Sequence, residues 1–310
     1  MGAYLLKRVG YMLVTLFIIA TATFFLMKTL PGTPFTNADR LNEQQLENMK
    51  AKYGLDQPVA IQYVRYLANL VQGDLGMSFK FMGRSVNEVI FERIGPSALI
   101  GFQALIVGTF VGLGLGVVSA LRHNSIWDYT SVTLAVLGMS IPSFVFAALL
   151  QYYLGLKWGL LPPALWKGYE YTILPTLALS VTVIATVARF IRTEMLDVIS
   201  QDYVMTARAK GLSETGVIVK HVLRNALIPV VTMLGPLAVN IMTGTLVIEK
   251  IFSVPGLGEQ FTLSIVVNDY SVIMGITLFY SLLFILMVFV VDILYGLLDP
   301  RISVRGAKAK

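Results

Sequence analysis

The sequence predicts an all-α polytopic membrane protein with six transmembrane helices. Of its 310 residues, 56% are hydrophobic and only 14% are charged, whereas soluble domains carry about 25% charged residues. This shortage of charge excludes a soluble enzyme. Six stretches without Asp, Glu, Lys or Arg are each long enough to cross a hydrocarbon core of about 30 Å as a helix. They are 9–27, 94–121, 129–156, 171–188, 225–248 and 270–291.

Residues 1–30 are expected to form an N-terminal segment and the first transmembrane helix. Lys7 and Arg8 precede an apolar core that contains Ala20-Thr21-Ala22, as in a cleaved signal peptide. That core has 19 residues, more than the roughly 7–15 of a signal peptide, and the small residues lie inside it. We therefore predict an uncleaved span. The six stretches are apolar at consecutive positions, which disfavours a β-barrel.

The charge distribution predicts that both termini are cytoplasmic. With the N-terminus inside, the inner segments hold 13 Lys and Arg against 7 Asp and Glu, and the outer segments hold 11 of each. Most outer basic residues lie in one long loop, which has little influence on topology. The net charge of +6 therefore indicates membrane insertion against anionic lipid, and no nucleic-acid partner is expected.

The extracytoplasmic segment 31–93 is the largest soluble part of the chain. The turn at 31–34 (PGTP) ends the first span, and Gly54 and Pro58 separate two predicted amphipathic helices. The second helix carries Tyr63 and Tyr66 on one face, and we expect its aromatic rings at the level of the lipid headgroups. The segment is either a spacer or a platform for an external protein.

The core domain is predicted at 94–300, followed by a basic cytoplasmic tail at 301–310. Gly108, Gly112 and Gly116 share one helix face, and we expect them to let a neighbouring helix approach closely. Four prolines are expected to interrupt spans three, four and five: Pro142, Pro175, Pro229 and Pro236.

Several chemistries are disfavoured by what the spans lack. The nearest charges are Glu249, Lys250 and Asp292 at span ends, whereas ion-coupled carriers keep an ionisable site near the midplane. No Gly-x-x-x-x-Gly-Lys-Ser/Thr phosphate loop is present. His123 and His221 fall in separate inner loops, so no metal site is expected. The absence of cysteine excludes disulfides and Cys nucleophiles. A membrane enzyme would need paired carboxylates or a histidine cluster, which the spans do not show.

The inner loop 193–224 is the most informative stretch. Asp202 is predicted to cap a short helix, and Gly211 suits the left-handed turn that ends it. Ser213 is predicted to cap a second helix. Ala207 and Ala209 would keep the first helix slim enough to enter a groove on a partner. A plain connector, which is the alternative, would not need these signals.

This loop resembles the cytoplasmic EAA loop of ABC-importer permeases, in the version found in peptide and nickel importers. The resemblance rests on 221–229 (HVLRNALIP) and on the run Thr206-Ala207-Arg208-Ala209-Lys210-Gly211-Leu212. Thr206 stands where the family usually has an acidic residue, so an ion pair to an ATPase from that position is not expected. Further segments resemble the B-type permease subunit of that group: 6–35, 73–78 (GDLGMS), 254–258 (VPGLG) and 298–301 (LDPR).

The resemblance implies a type I permease architecture in the bacterial inner membrane. It implies four kinds of partner: a second related permease, two ATPase subunits that bind ATP and Mg²⁺, an external peptide-binding protein, and the peptide itself. The chain would conduct substrate and couple to the ATPases through residues 206–212, with no catalytic residue and no cofactor of its own.

The substrate is expected to be an oligopeptide, with dipeptides or nickel as alternatives and an ion-coupled carrier as a more distant one. A nickel path should offer imidazole or carboxylate ligands, and the spans contain no carboxylate. The turn at 31–35 (PGTPF) looks more like the oligopeptide branch than the dipeptide branch. Neutral polar residues suit a peptide path, although each could instead bond helix to helix: Gln103, Ser140, Gln151, Asn240 and Thr243.

Overall fold

The computed structural model describes residues 2–30, 43–52, 54–81 and 83–298. In these residues the chain is helical, and an isolated pairing of Met77 with Ser85 is the only bridge of β type. The helices are α1 (Gly2–Thr29), α2 (Glu43–Lys52), α3 (Val59–Val71), α4 (Val86–Leu121), α5 (Ile126–Ser140), α6 (Ser143–Leu150), α7 (Ile173–Ile199), α8 (Asp202–Ala209), α9 (Glu214–Val217), α10 (Arg224–Phe252), α11 (Leu257–Val266) and α12 (Tyr270–Leu298). Wider π-helical turns extend α6 over Gln151–Lys157 and α9 over Ile218–Leu223, and a 3-10 turn (Tyr169–Thr172) precedes α7.

Five helical segments in the described residues are long and apolar enough to cross a membrane. They are Leu6–Thr29, Val86–Leu121, Tyr169–Ile199, Glu214–Ala238 and Tyr270–Val290. A further pair, α5 and the extended α6, is bent by 100° at its break. Counted as one broken span, this pair brings the total to six and confirms the predicted fold class.

The prolines behave differently from one another. Pro142 lies at the break between α5 and α6, as predicted. Pro175 instead lies in the first turn of α7, where a missing N–H leaves no helical hydrogen bond unmade. Pro229 and Pro236 lie inside α10, which runs on through both. The prediction of interrupted spans is therefore wrong at these three positions.

The chain divides into two compact units, residues 1–96 with 255–285 and residues 97–254 with 286–310. The predicted division at 30, 93 and 300 stays a prediction, and the PGTPF turn and the basic tail lie outside the described residues.

In the first unit, α2 is followed by Gly54, whose φ of 67° is left-handed, and α3 follows Pro58 as predicted. The aromatic face of α3 packs on α1: the Tyr63 hydroxyl lies 2.7 Å from Thr21 Oγ1, and the Tyr66 ring stacks on Phe24. The rings of α3 therefore contact α1.

A buried carboxylate organises the 73–85 loop of the first unit. Asp269 is fully buried and accepts hydrogen bonds from Ser78 Oγ and from the backbone N–H groups of Phe79 and Lys80. Asn87 bonds the other end of the loop, since its Oδ1 accepts from Leu75 N at 3.0 Å. These bonds satisfy the polar groups of a loop that forms no strand, apart from the Met77–Ser85 bridge, where it is described.

In the second unit, α7 lies against α5, α6 and α10 and carries many of the fully buried side chains. The glycine face of α4 also lies on α7. A Cβ added at Gly112 would be 2.8 Å from the Ile184 carbonyl oxygen and from Val187 Cβ, and one at Gly108 would meet Val183. One at Gly116 would meet Ile191 and the Ala188 carbonyl. The two backbones thus approach closely along the face that the four-residue spacing predicts.

Candidate coupling loop and translocation helices

The inner loop forms the short helix α8 and a tight turn. Gln201 holds the cap position with extended backbone, and no side chain caps the helix; Asp202 is its first helical residue. Asp202 was predicted to be the cap, and that assignment is wrong by one residue. Its carboxylate still lies in the first turn of α8, where a negative charge interacts favourably with the positive end of the helix dipole.

The turn after α8 is built as the sequence predicts. Gly211 has a φ of 76°, a conformation that glycine adopts without strain. Ser213 caps the next helix by accepting a hydrogen bond from Gly216 N at 3.3 Å. Across the turn, Arg208 Nη2 donates to Glu214 Oε1 at 2.8 Å, and this bond raises the pKa of Arg208. Both side chains are exposed, so we expect the ion pair to contribute little to the stability of the fold.

The two alanines of α8 have different surroundings. Ala207 is 5% exposed and Val204 is fully buried, and both belong to the core of the second unit. Ala209 is exposed. The expectation that both alanines face a partner is therefore wrong for Ala207, because its side of α8 packs on the chain itself.

The opposite side of α8 and its turn are open. Met205 is 64% exposed, and Tyr203 and Leu212 are also exposed, large and apolar. The remaining residues of the predicted coupling run are exposed as well: Thr206, Arg208, Ala209, Lys210 and Gly211.

The loop is firmly joined to the bundle. The helical path from Glu214 continues without a break into α10, and Val217, Val222 and Ala226 are fully buried along it. Asn225 Nδ2 donates to the Tyr203 hydroxyl at 3.1 Å and thereby links α10 to α8. The end of α7, the start of α10 and one side of α8 therefore form one packed cluster.

The polar residues predicted to line a pathway are mostly engaged between helices. Gln103 Oε1 accepts from Thr176 Oγ1 at 2.9 Å, and Gln151 Nε2 donates to the carbonyls of Pro163 and Ile251. Ser140 is exposed, but its hydroxyl donates to its own helix. Asn240 and Thr243 lie in α10, and their side chains are outside those described. Contacts of this kind serve helix packing, and a pathway role for these residues stays a prediction.

Sequence reasoning missed a buried polar cluster around Asp128, which is 1% exposed. Its carboxylate accepts two hydrogen bonds from Arg192, one from Ser119 Oγ and one from Asn124 N, and His123 Nδ1 lies 3.0 Å away. Another buried carboxylate of the second unit, Glu249, accepts from Ser97 Oγ at 2.6 Å. The burial of these two carboxylates was not predicted, because the helices run beyond the charge-free stretches that marked the spans. The available signal was an acid placed just after an Asn-Ser helix start.

His123 thus serves in this cluster, and no group of three or more His, Asp or Glu suited to a metal occurs among the described residues.

Comparison with known proteins identifies the family. Residues 112–304 match the model for the inner membrane component of binding-protein-dependent transport systems, and residues 1–91 match the N-terminal model of the same component. A crystal structure of an amino acid ABC transporter shares the fold, with a TM-score of 0.54 over 67% of this chain and 92% of that chain, at 15% identity.

Relatives align over nearly the whole chain. The dipeptide transport system permease protein DppB of Bacillus subtilis is 46% identical, and the alignment covers 98% of each chain. The oligopeptide transport system permease protein OppB of Haemophilus influenzae is 41% identical over 96% of this chain and 98% of its own. This chain is a multi-pass inner-membrane protein and belongs to the family of inner membrane components of binding-protein-dependent transport systems.

Proposed function

We propose that the chain is the permease subunit of an ATP-driven peptide importer, that it forms half of the translocation pathway, and that it couples this pathway to a separate ATPase. The family and the full-length alignments to relatives named as dipeptide and oligopeptide permeases support this function. The chain itself carries no phosphate-binding loop, so ATP and Mg²⁺ would bind to partner subunits.

The observation that carries the proposal is the two-sided character of α8. Val204 and Ala207 fix one side of α8 in the core, while Met205 and Leu212 stand exposed beside it. A helix that only connected two spans would gain nothing from exposing large apolar side chains to water. An ATPase groove that binds this exposed side would bury those side chains. Because the other side of α8 is packed in the core of the chain, a movement of the ATPase would be transmitted to the helix bundle.

This arrangement supports a mechanical form of coupling. Closure of two ATPase subunits would displace α8 on this chain and on a second, related permease, and the cluster that α8 forms with α7 and α10 would carry the displacement into the spans. An external peptide-binding protein would act on the opposite face. ATP and the loaded binding protein then bias one equilibrium between inward-open and outward-open states.

A substitution at Met205 tests the coupling role. Met205→Glu places a charge in the proposed ATPase groove without disturbing the chain's own core, because the residue is 64% exposed. In the assembled importer we expect substrate-stimulated ATP hydrolysis and uptake to fall at least about tenfold, since an uncompensated buried charge costs several kcal/mol. Met205→Leu is the matched control and should keep both activities. Normal coupled activity in Met205→Glu would refute the role of α8.

Two substrate classes remain to be separated. The PGTPF turn at 31–35 favours oligopeptides, which we propose as the substrate. Dipeptides are the second candidate, because two relatives named as dipeptide permeases are each 46% identical to this chain. Deletion of the gene should abolish uptake of labelled tetrapeptides and pentapeptides. Loss of dipeptide uptake alone would favour the second candidate, and loss of nickel accumulation alone would contradict both.

A further inference from the structure

Helix α7 has a polar stripe where its surface is open. Thr182, Arg189 and Thr193 are exposed and Thr186 is half-buried. Their spacing of four, three and four residues places them on one face of the helix over three turns. On either side of the stripe α7 is packed: Val183 and Val187 are fully buried and Ala185 is 1% exposed.

The polar side chains of this stripe are unsuited to contact with lipid. The helix α1 exposes large apolar side chains such as Leu13 and Phe17, as expected of a surface in hydrocarbon. By contrast, α7 exposes no large apolar side chain anywhere between Ile173 and Ile199. A surface at membrane depth that is exposed and polar faces water or another protein.

Arg189 lies in the span-length helix Tyr169–Ile199, directly after its charge-free stretch 171–188. A Cβ on Gly138 of α5 would be 3.0 Å from Val181 and 3.4 Å from Ala185, which sets the level of α5 against α7. Met139 follows Gly138, and Arg189 Nη1 lies 3.3 Å from Met139 Sδ. The guanidinium therefore contacts α5 one residue beyond the position that packs against Val181 and Ala185.

Side chains on a helix lean toward its N-terminus, so the Arg189 side chain is not directed along the last turns of α7. The guanidinium is also without a carboxylate: among the described residues, none lies within 4.0 Å of it. Met139 Sδ is a weak acceptor. Arg192, one turn on, differs in that it is paired with Asp128 through two hydrogen bonds.

We propose that Thr182, Thr186, Arg189 and Thr193 line a water-filled translocation path, and that Arg189 binds the C-terminal carboxylate of a peptide in transit. The second part rests on the proposed function. A guanidinium offers paired donors that match a carboxylate. Thr186 and Thr193 donate their hydroxyl hydrogens to α7 carbonyls, at 2.7 and 3.0 Å, which leaves the oxygens to accept peptide N–H groups.

A path that contains Arg189 differs from the path lined only by neutral polar residues that the sequence predicts. Every unmodified peptide carries a terminal carboxylate, so one cation that recognises it does not discriminate among side chains. A single exposed site can release the carboxylate again, because water competes for the guanidinium.

Thiol accessibility tests the path. The chain has no native cysteine, so Thr182→Cys and Thr193→Cys each report alone. The assembled importer is placed in liposomes and compared in two states, with and without nucleotide trapped on its ATPase subunits. A permanently charged thiol reagent should label both cysteines in at least one of these states. Two controls should react at least about tenfold more slowly, because the reagent does not enter hydrocarbon or a packed core: Phe110→Cys, which is apolar and 71% exposed on α4, and Val183→Cys, which is fully buried.

Two variants test the carboxylate site. Uptake of tri-alanine should fall about tenfold in Arg189→Gln and stay within about threefold of the unmodified importer in Arg189→Lys, which keeps the charge. Arg122→Gln, at an exposed arginine beyond α4, should have no effect. The melting temperatures of both Arg189 variants should match that of the unmodified importer, because Met139 Sδ is only a weak partner for Arg189.

The outcomes separate the two proposals. Labelling of Thr182→Cys no faster than that of Phe110→Cys in either state would refute the path, whatever the substrate is. Equal uptake by Arg189→Gln and the unmodified importer would refute the carboxylate site. An unmodified importer that moves no peptide would refute the proposed function and the carboxylate site together, and the labelling would then decide the path alone.

Discussion

Arg192 holds the carboxylate of Asp128 by two hydrogen bonds, from Nε at 2.7 Å and from Nη2 at 2.9 Å. Asp128 lies in the first turn of α5, and Arg192 lies two turns before the end of α7. Both carboxylate oxygens receive additional hydrogen bonds, from Ser119 Oγ and from Asn124 N. The pair therefore joins the start of α5 and the end of α4 to the part of α7 that leads into α8.

Removal of this carboxylate should destabilise the protein strongly. Asp128→Ala leaves the Arg192 guanidinium, whose side chain is only 24% exposed, without its partner, and breaking such a pair costs about 3 kcal/mol or more. We expect a clear fall in the melting temperature of the purified protein in detergent. Arg189→Ala, which removes an exposed arginine from the same helix, should change stability by no more than about 0.5 kcal/mol. Equal melting temperatures for the two variants would contradict the role of the pair.

Two glycines of α4 give a matched test of helix packing. Gly112→Ala places a methyl group 2.8 Å from the Ile184 carbonyl oxygen, whereas Gly114→Ala meets nothing within 4 Å. We expect Gly112→Ala to cost about 1–3 kcal/mol through overpacking. Gly114→Ala should be neutral or slightly stabilising because alanine favours the helix. Thermal unfolding of both variants measures the difference, and a similar loss in both would mean that α4 does not press on α7.

The features that the sequence predicted well are local or periodic. Charge-free stretches mark the spans because hydrocarbon excludes charge over a fixed length. The spacing of Gly108, Gly112 and Gly116 follows from the helical repeat, and Gly211 and Ser213 follow from backbone conformation and capping. Each of these depends on residues that are close together in the chain.

The features that were missed depend on distant contacts. Asp128 and Arg192 are 64 residues apart, and no local pattern indicates that they meet. Ala207 and Ala209 are the same residue type on the same short helix. Only the packing of α8 on the core determines that Ala207 is buried and Ala209 is exposed. Pro229 and Pro236 lie inside α10, and no local pattern in the sequence indicates that the helix continues through both.

The turn after α8 should need glycine for its backbone conformation rather than for space. Nothing lies within 4 Å of a Cβ built at Gly211, and its φ is 76°. Gly211→Val should cost about 1–2 kcal/mol and shift the turn, whereas Gly211→Asn should be tolerated because asparagine adopts left-handed backbone more readily. We expect coupled ATP hydrolysis to fall in the valine variant and to persist in the asparagine variant. Equal loss in both would point to a steric requirement instead.

Asp269 should control the order of the 73–85 loop. Asp269→Ala removes the acceptor for Ser78 Oγ and for two backbone N–H groups, and each buried donor left unsatisfied costs about 1–3 kcal/mol. The loop should then become sensitive to limited proteolysis. Asp74→Ala, which removes an exposed acceptor for Gly76 N, should leave the cleavage pattern unchanged. A protected loop in Asp269→Ala would contradict this role.

The orientation of the chain in the membrane can be tested with single cysteines, since no native thiol interferes. The inner segments were predicted from their 13 basic against 7 acidic residues, compared with 11 of each outside. Asn48 on α2 and Lys210 after α8 are both exposed, so either cysteine can react once a reagent reaches its side. We expect Asn48→Cys to react with a membrane-impermeant maleimide in intact spheroplasts and Lys210→Cys to react only after permeabilisation. The reverse pattern would place α8 outside the cell, where no ATPase could reach it, and would overturn the coupling proposal together with the topology.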